Sequence, residues 1–148
     1  MVAKKVGKSY KELINYEKGK TKVKQVIIMT IVVLLIGTWG MYIAGFICYG
    51  RFPYAAPMMI EPIPLVLAIV NFIVLPVTVS FAEDGLYLGC GVNNIKNKYL
   101  AVIVPALFYA LQHSFIPTIF DGKFIVYRFL SFLPITFILC WDYYKKRH

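Results

Sequence analysis

Four long apolar runs divide the chain, separated by polar or proline-rich turns. The first runs from Val26 to Cys48 without a charge. The second runs from near Ile63 to about Gly91 and contains Pro76, where a kink is expected. It also contains the acidic pair Glu83-Asp84. The third runs from about Tyr99 to Phe120 and contains His113; the fourth, from about Phe124 to Tyr144, contains Pro134. Roughly 20 apolar residues in a helix cross about 30 Å of hydrocarbon. The pattern therefore predicts an all-α fold, a polytopic helical membrane protein of about four transmembrane helices. The proline-rich stretch from Tyr49 to Pro62 ends the first span. Residues 93–98, Asn-Asn-Ile-Lys-Asn-Lys, and Asp121-Gly122-Lys123 read as turns. No internal repeat is visible.

Composition supports the same picture. Hydrophobic residues make up 59% of the 148 positions and charged residues 16%. A soluble chain of this length has too little interior to hide that much apolar side chain. The first run is too long for a signal-peptide core, and no cleavage site follows it.

The net charge of +9 is concentrated at the N-terminus, where eight lysines fall within the first 24 residues. Their place directly before an apolar run points to an anionic bilayer surface rather than nucleic acid. Three segments follow: a basic cytoplasmic N-terminal segment (1–25), a helical membrane domain (26–144) and a basic cytoplasmic tail (145–148). With the N-terminus inside, the inner segments carry 13 Lys and Arg and the outer ones 3, counting Arg128. That asymmetry sets the expected location: cell membrane, multi-pass, N-terminus cytoplasmic. Cys48, Cys90 and Cys140 are far apart, show no metal-ligand spacing, and read as small apolar fillers.

Ionisable groups inside a span are costly and need a reason. Three lie well inside: Glu83, Asp84 and His113. Residue 98, beside the polar turn, is the midpoint between Glu83 and His113. A helical hairpin folded there brings the two to one depth, roughly 20 Å from the turn at ~1.5 Å per residue. Ala106 and Ala110 precede His113 on its face and permit close packing. Ser80 and Tyr87 share the face of Glu83, whereas Asp84 points about 100° away and needs another partner. Gly85 and Gly89 form a GxxxG on a further face. A Glu/His pair can activate a water, with Glu as general base. It can also give two ligands to a divalent metal such as zinc, which do not complete a site. An ion pair that only locks the hairpin is the third reading of the same spacing.

At these residues the sequence resembles the CAAX-protease and bacteriocin-processing family, the Abi family of membrane endopeptidases. The family's first motif is a Glu-Glu pair, three residues, then Arg, usually followed by Gly. Here it reads Glu83-Asp84-Gly85-Leu86-Tyr87-Leu88-Gly89. The second is an aromatic, three residues, then His, here Tyr109-Ala110-Leu111-Gln112-His113. The resemblance covers roughly residues 63–144. It implies an intramembrane peptidase with Glu83 as the water-activating glutamate, His113 as its partner and Asp84 in the second acidic position. It also implies a peptide or protein substrate. Leu88 stands where the family has arginine. The family's third motif, a His followed four residues later by Asn or Asp, stabilises the oxyanion on a later helix. After Trp141 this chain reads Asp-Tyr-Tyr-Lys-Lys-Arg-His, so it is expected to be truncated relative to the family. His148 in a basic tail is a poor candidate for that His. Either an oligomer supplies the missing helix from another subunit, or the chain does not cleave peptides.

Three functions therefore compete: such an endopeptidase; a non-proteolytic immunity or partner-binding protein of the same descent; and a small proton relay or transporter. Among other residues, Arg128 is expected to snorkel outward, with Asp84 as its alternative partner. Asn71 is expected to bond a neighbouring helix. Tyr127, Trp141, Tyr143 and Tyr144 fit an interfacial aromatic belt. Asp121 and Asp142 are expected to be solvated.

Overall fold

A computed structural model describes residues 7–17, 19, 22–57, 62–116 and 120–146; the side chains at 75, 76, 80 and 81 fall outside the description. The fold is all-α, with no strand among the described residues. The helices traced over the described residues are α1 (Tyr10–Leu13), α2 (Val23–Tyr49), α3 (Leu65–Thr78), α4 (Val79–Val92), α5 (Lys98–Ser114) and α6 (Gly122–Lys146).

Two of these, α2 and α6, are long and apolar enough to cross a membrane. On α2 large apolar side chains such as Ile28, Leu35, Trp39, Ile43 and Phe46 stand exposed. Only the small residues Gly40, Ala44 and Gly45 are buried on it. A helix that is apolar all round yet packed along one narrow stripe matches an apolar solvent rather than water. Gly50, left-handed at φ 64°, caps α2 with its N–H on the Phe46 carbonyl, a conformation glycine adopts without a Cβ clash.

The second apolar run becomes α3 followed directly by α4. The backbone stays helical through position 76, and the side chain of the expected kink residue, Pro76, lies outside the description. The winding changes from α to π at Val79. The third run is shorter than its pattern predicts: α5 stops at Ser114 instead of continuing to Phe120. The Phe115 N–H turns back to the carbonyls of Gln112 and His113. The Pro at 117 has no N–H with which to continue a helix. At 17 residues, α5 is about 25 Å long. Asp121 is exposed, as expected, and it also caps α6: its Oδ1 accepts the Phe124 N–H at 2.8 Å. Asp142 pairs with Lys146 at 2.6 Å.

The helices pack antiparallel in a consistent register. A Cβ at Gly40 would lie 2.7 Å from the Ser131 carbonyl oxygen, and one at Gly37 2.8 Å from Ile135, which fixes α2 against α6. Thr136 donates to the Ala106 carbonyl at 3.0 Å, tying α6 to α5. A Cβ at Gly91 would lie 3.0 Å from the Pro105 ring, so α4 and α5 pack tightly there.

Two buried clusters result. Val92, Val102, Ala106 and Cys140 form one. Ala44, Ala56, Phe124 and Tyr127 form the other, at the opposite end of α6. Tyr127 is thus not in an aromatic belt: it is fully buried, edge-on to Tyr49 and Tyr54. Asn71 is exposed on α3 rather than turned onto a neighbouring helix.

The GxxxG of α4 has a partner that its pattern leaves open. A Cβ at Gly85 would lie 2.8 Å from the Tyr10 ring, and one at Gly89 2.9 Å from the Leu13 carbonyl oxygen. Both glycines therefore seat α1, a single turn from the basic N-terminal segment. That turn is closed by a capping box: Ser9 N–H donates to Glu12 Oε2 at 2.7 Å, and Glu12 N–H to Ser9 Oγ at 3.3 Å. Asn93 fastens it, donating to the Leu13 carbonyl and to the Tyr143 hydroxyl oxygen, and accepting from Asn15.

Candidate active site

The hairpin of α4 and α5 places Glu83 beside His113, with Oε2 3.7 Å from Nε2. Both side chains are largely buried, at 13% and 16% exposure. The imidazole is oriented from three sides. Its Nδ1 lies 3.0 Å from the Tyr109 carbonyl oxygen. A carbonyl only accepts, so Nδ1 carries the proton and Nε2 of the neutral ring presents a lone pair toward Glu83. One face stacks on Phe132, centroids 4.2 Å apart, and the Tyr109 ring stands at 5.3 Å.

Glu83 has two differently used oxygens. Oε1 accepts from Gln112 Nε2 at 2.7 Å. Oε2 is buried and has no hydrogen-bond partner. A gap of 3.7 Å is too long for a direct hydrogen bond. Oε2 is closed to a water-sized sphere, so a water that bridges it to Nε2, with one O–H on each, enters only when the side chains around it part. Such a water has its protons engaged by two bases and its lone pairs turned outward.

Asp84 does not join this pair. Its Oδ1 accepts from the Tyr109 hydroxyl at 3.4 Å. It faces a cavity of about 530 Å³ between α1 and α4, lined also by Tyr10, Lys11, Ile14, Leu88 and Tyr143. Burial, and then the charge of Asp84, push the Tyr10 hydroxyl above its usual range. Leu88, where the resemblance puts an arginine, contributes an apolar wall. Among the described residues no three His, Cys, Asp or Glu side chains converge, so Glu83 and His113 remain two ligands without a third. All three cysteines are free thiols.

Arg128 does not extend outward into solvent. It is buried at 6% exposure, donates from Nε to the Ile116 carbonyl at 3.0 Å, and lies 4.6 Å over the Phe132 ring. Its charge therefore bears on the ring that carries His113. Ser80 lies outside the described side chains. Ala106 and Ala110 are fully buried, as close packing requires.

Gln112, Phe132 and the carbonyl of Tyr109 escaped sequence reasoning as parts of the site. Gln112 had a signal, a polar amide within an apolar run beside the histidine. Phe132 had none, being one of eleven phenylalanines.

No protein-family model matches the chain, no curated protein matches it, and no solved structure matches its fold. The motif resemblance therefore stands on the quoted residues alone.

Proposed function

We propose that the chain is a four-span membrane protein, N-terminus inside, whose Glu83/His113 pair activates water to hydrolyse a peptide bond within the bilayer. The observation that carries this reading is the buried, unpartnered Oε2 of Glu83 facing the lone pair of His113 Nε2. The geometry suits general-base catalysis. The water oxygen attacks the scissile carbonyl carbon while Glu83 takes its proton. The C–N bond then breaks, and Glu83 returns that proton to the leaving nitrogen, giving a carboxyl and an amine. His113 Nε2 holds the water by its second O–H, and Glu83 passes from carboxylate to carboxylic acid as it takes the proton. A zinc ion on the same two side chains would activate water similarly, but it needs further ligands.

The test is cleavage of a quenched-fluorescent peptide library by the reconstituted chain and two variants. Glu83→Gln and His113→Ala are each expected to lower the rate by ~10²–10⁴-fold, the usual contribution of a positioned acid or base. Equal rates in all three would remove the pair from the mechanism.

A second reading, a non-proteolytic immunity or partner-binding protein, draws on Asp84. It meets tyrosine hydroxyls and the apolar Leu88 rather than the arginine of the family motif. Protection of producing cells that persists in both variants would favour it.

A further inference from the structure

Gln112 and His113 are consecutive on α5, yet both meet the carboxylate of Glu83. They do so by dividing it: the amide takes Oε1 at 2.7 Å and the imidazole faces Oε2 at 3.7 Å. The amide is itself held, because Tyr87 donates to Gln112 Oε1 at 2.5 Å. Tyr87 is one turn beyond Glu83 on α4, and its ring stacks on Tyr109, centroids 4.6 Å apart and nearly parallel at 11°. The carbonyl of Tyr109 holds His113 Nδ1. A closed circuit therefore runs from Glu83 through Gln112, Tyr87, Tyr109 and His113 back to Glu83.

The circuit restricts the chemistry. Gln112 can donate but does not titrate, so it orients the carboxylate without competing for its proton. With Oε1 engaged, Oε2 is the oxygen left for a water or for His113. We propose that Gln112, oriented by Tyr87, is a positioning residue that keeps Glu83 Oε2 aimed at His113 Nε2. This rests on the hydrolytic reading for its purpose, though the positioning can be tested separately.

The test uses the full chain in bilayers, labelled with ¹⁵N-histidine. The chain has only two histidines, so His148→Ala assigns the signal of His113. Wild type is expected to show a protonated Nδ1 and a lone-pair Nε2. Gln112→Met keeps length and bulk but removes the donor, so the Nε2 resonance should shift. Tyr87→Phe should move it the same way by less. Tyr87→Phe, which removes only a hydroxyl, guards against misfolding. A His113 spectrum unchanged in Gln112→Met or in Tyr87→Phe overturns the proposal. On a peptide that wild type cleaves, Gln112→Met should lose about 10²-fold in kcat with KM unchanged, the cost of a reacting group displaced by about 1 Å. If wild type cleaves nothing while the His113 signal responds as described, the hydrolytic reading fails and the positioning role stands.

Discussion

A buried carboxylate oxygen without a donor is expensive, because desolvation removes water and nothing replaces it. Glu83 Oε2 is in that position, while Oε1 of the same group accepts from Gln112. An ion pair that merely locked two helices would be expected to pair both oxygens. Two other carboxylates in the chain have ordinary capping duties. Asp121→Ala should destabilise α6 by ~0.5–2 kcal/mol through loss of the bond to the Phe124 N–H, measured by reversible unfolding in detergent. Glu12 is held below the usual carboxylate range, first by the Ser9 backbone N–H and then by the Ser9 hydroxyl. A depressed acid favours the folded turn above its ordinary titration range and loses that contribution as pH falls through its lowered value. Acidification should therefore loosen the capping box of α1, seen as a smaller protection factor for the Glu12 amide against exchange, and Glu12→Gln should abolish that pH dependence. A protection factor at Glu12 that stays constant through the titration would discount the capping carboxylate.

Among the elements, α1 is the least expected. Four residues do not make a stable helix alone; this turn persists because Leu13 is buried and two glycines of α4 leave room for it. Gly89→Val should expel it, since the obstructing atom is the Leu13 backbone carbonyl and cannot swing aside. Trypsin should then cut faster after Lys11, while the α2–α6 core keeps its unfolding midpoint. Gly40→Leu should do the reverse, disrupting that core at the Ser131 backbone by ~1–3 kcal/mol and leaving α1 protected. The seat of α1 shows where sequence reading stops. The GxxxG at Gly85 and Gly89 is visible as a contact surface, but its partner lies more than 70 residues earlier in a lysine-rich segment that its charge assigns to a bilayer surface. The Glu83–His113 juxtaposition was legible because hairpin geometry depends only on distance from a turn. The roles of Phe132 and Arg128 were not, because packing between α5 and α6 selects one phenylalanine among many and buries a charge that hydropathy places at the interface. Tyr127 misleads for a related reason: an aromatic near a helix end is compatible with a belt or a core, and only the approach of Tyr49 and Tyr54 decides.

Across the whole molecule, the packing register sorts charge by end. Lys98 and Lys145, from two different helices, both stand over the indole of Trp141, at 5.4 and 5.1 Å. Asn93 bonds α1 and Tyr143 at that same end. The antiparallel register of α2 on α6 brings Val23 to this end as well, because Gly37 meets Ile135 and Gly40 meets Ser131. At the far end Lys123 lies 4.9 Å over Tyr49, with Arg51 just beyond α2. Among the described residues α1, the polar turn and the end of α6 at Lys145 thus share one end, an arrangement that the proposed four-span topology requires. His113 is one residue from the finish of α5, about 22 Å from Lys98 along the helix axis. It therefore sits toward the opposite end. In a cysteine-free background, single cysteines at Ser9, Lys96 and Lys145 should react with an impermeant maleimide only after the inner face is opened. Cysteines at Arg51 and Gly122 should react in intact cells. A cysteine at Phe115 should label with the second group, since water that reaches Glu83 enters most directly from the end where α5 stops. Labelling of Ser9 and Lys145 from opposite sides would overturn the four-span reading, because an even number of crossings must return the chain to the side on which it began.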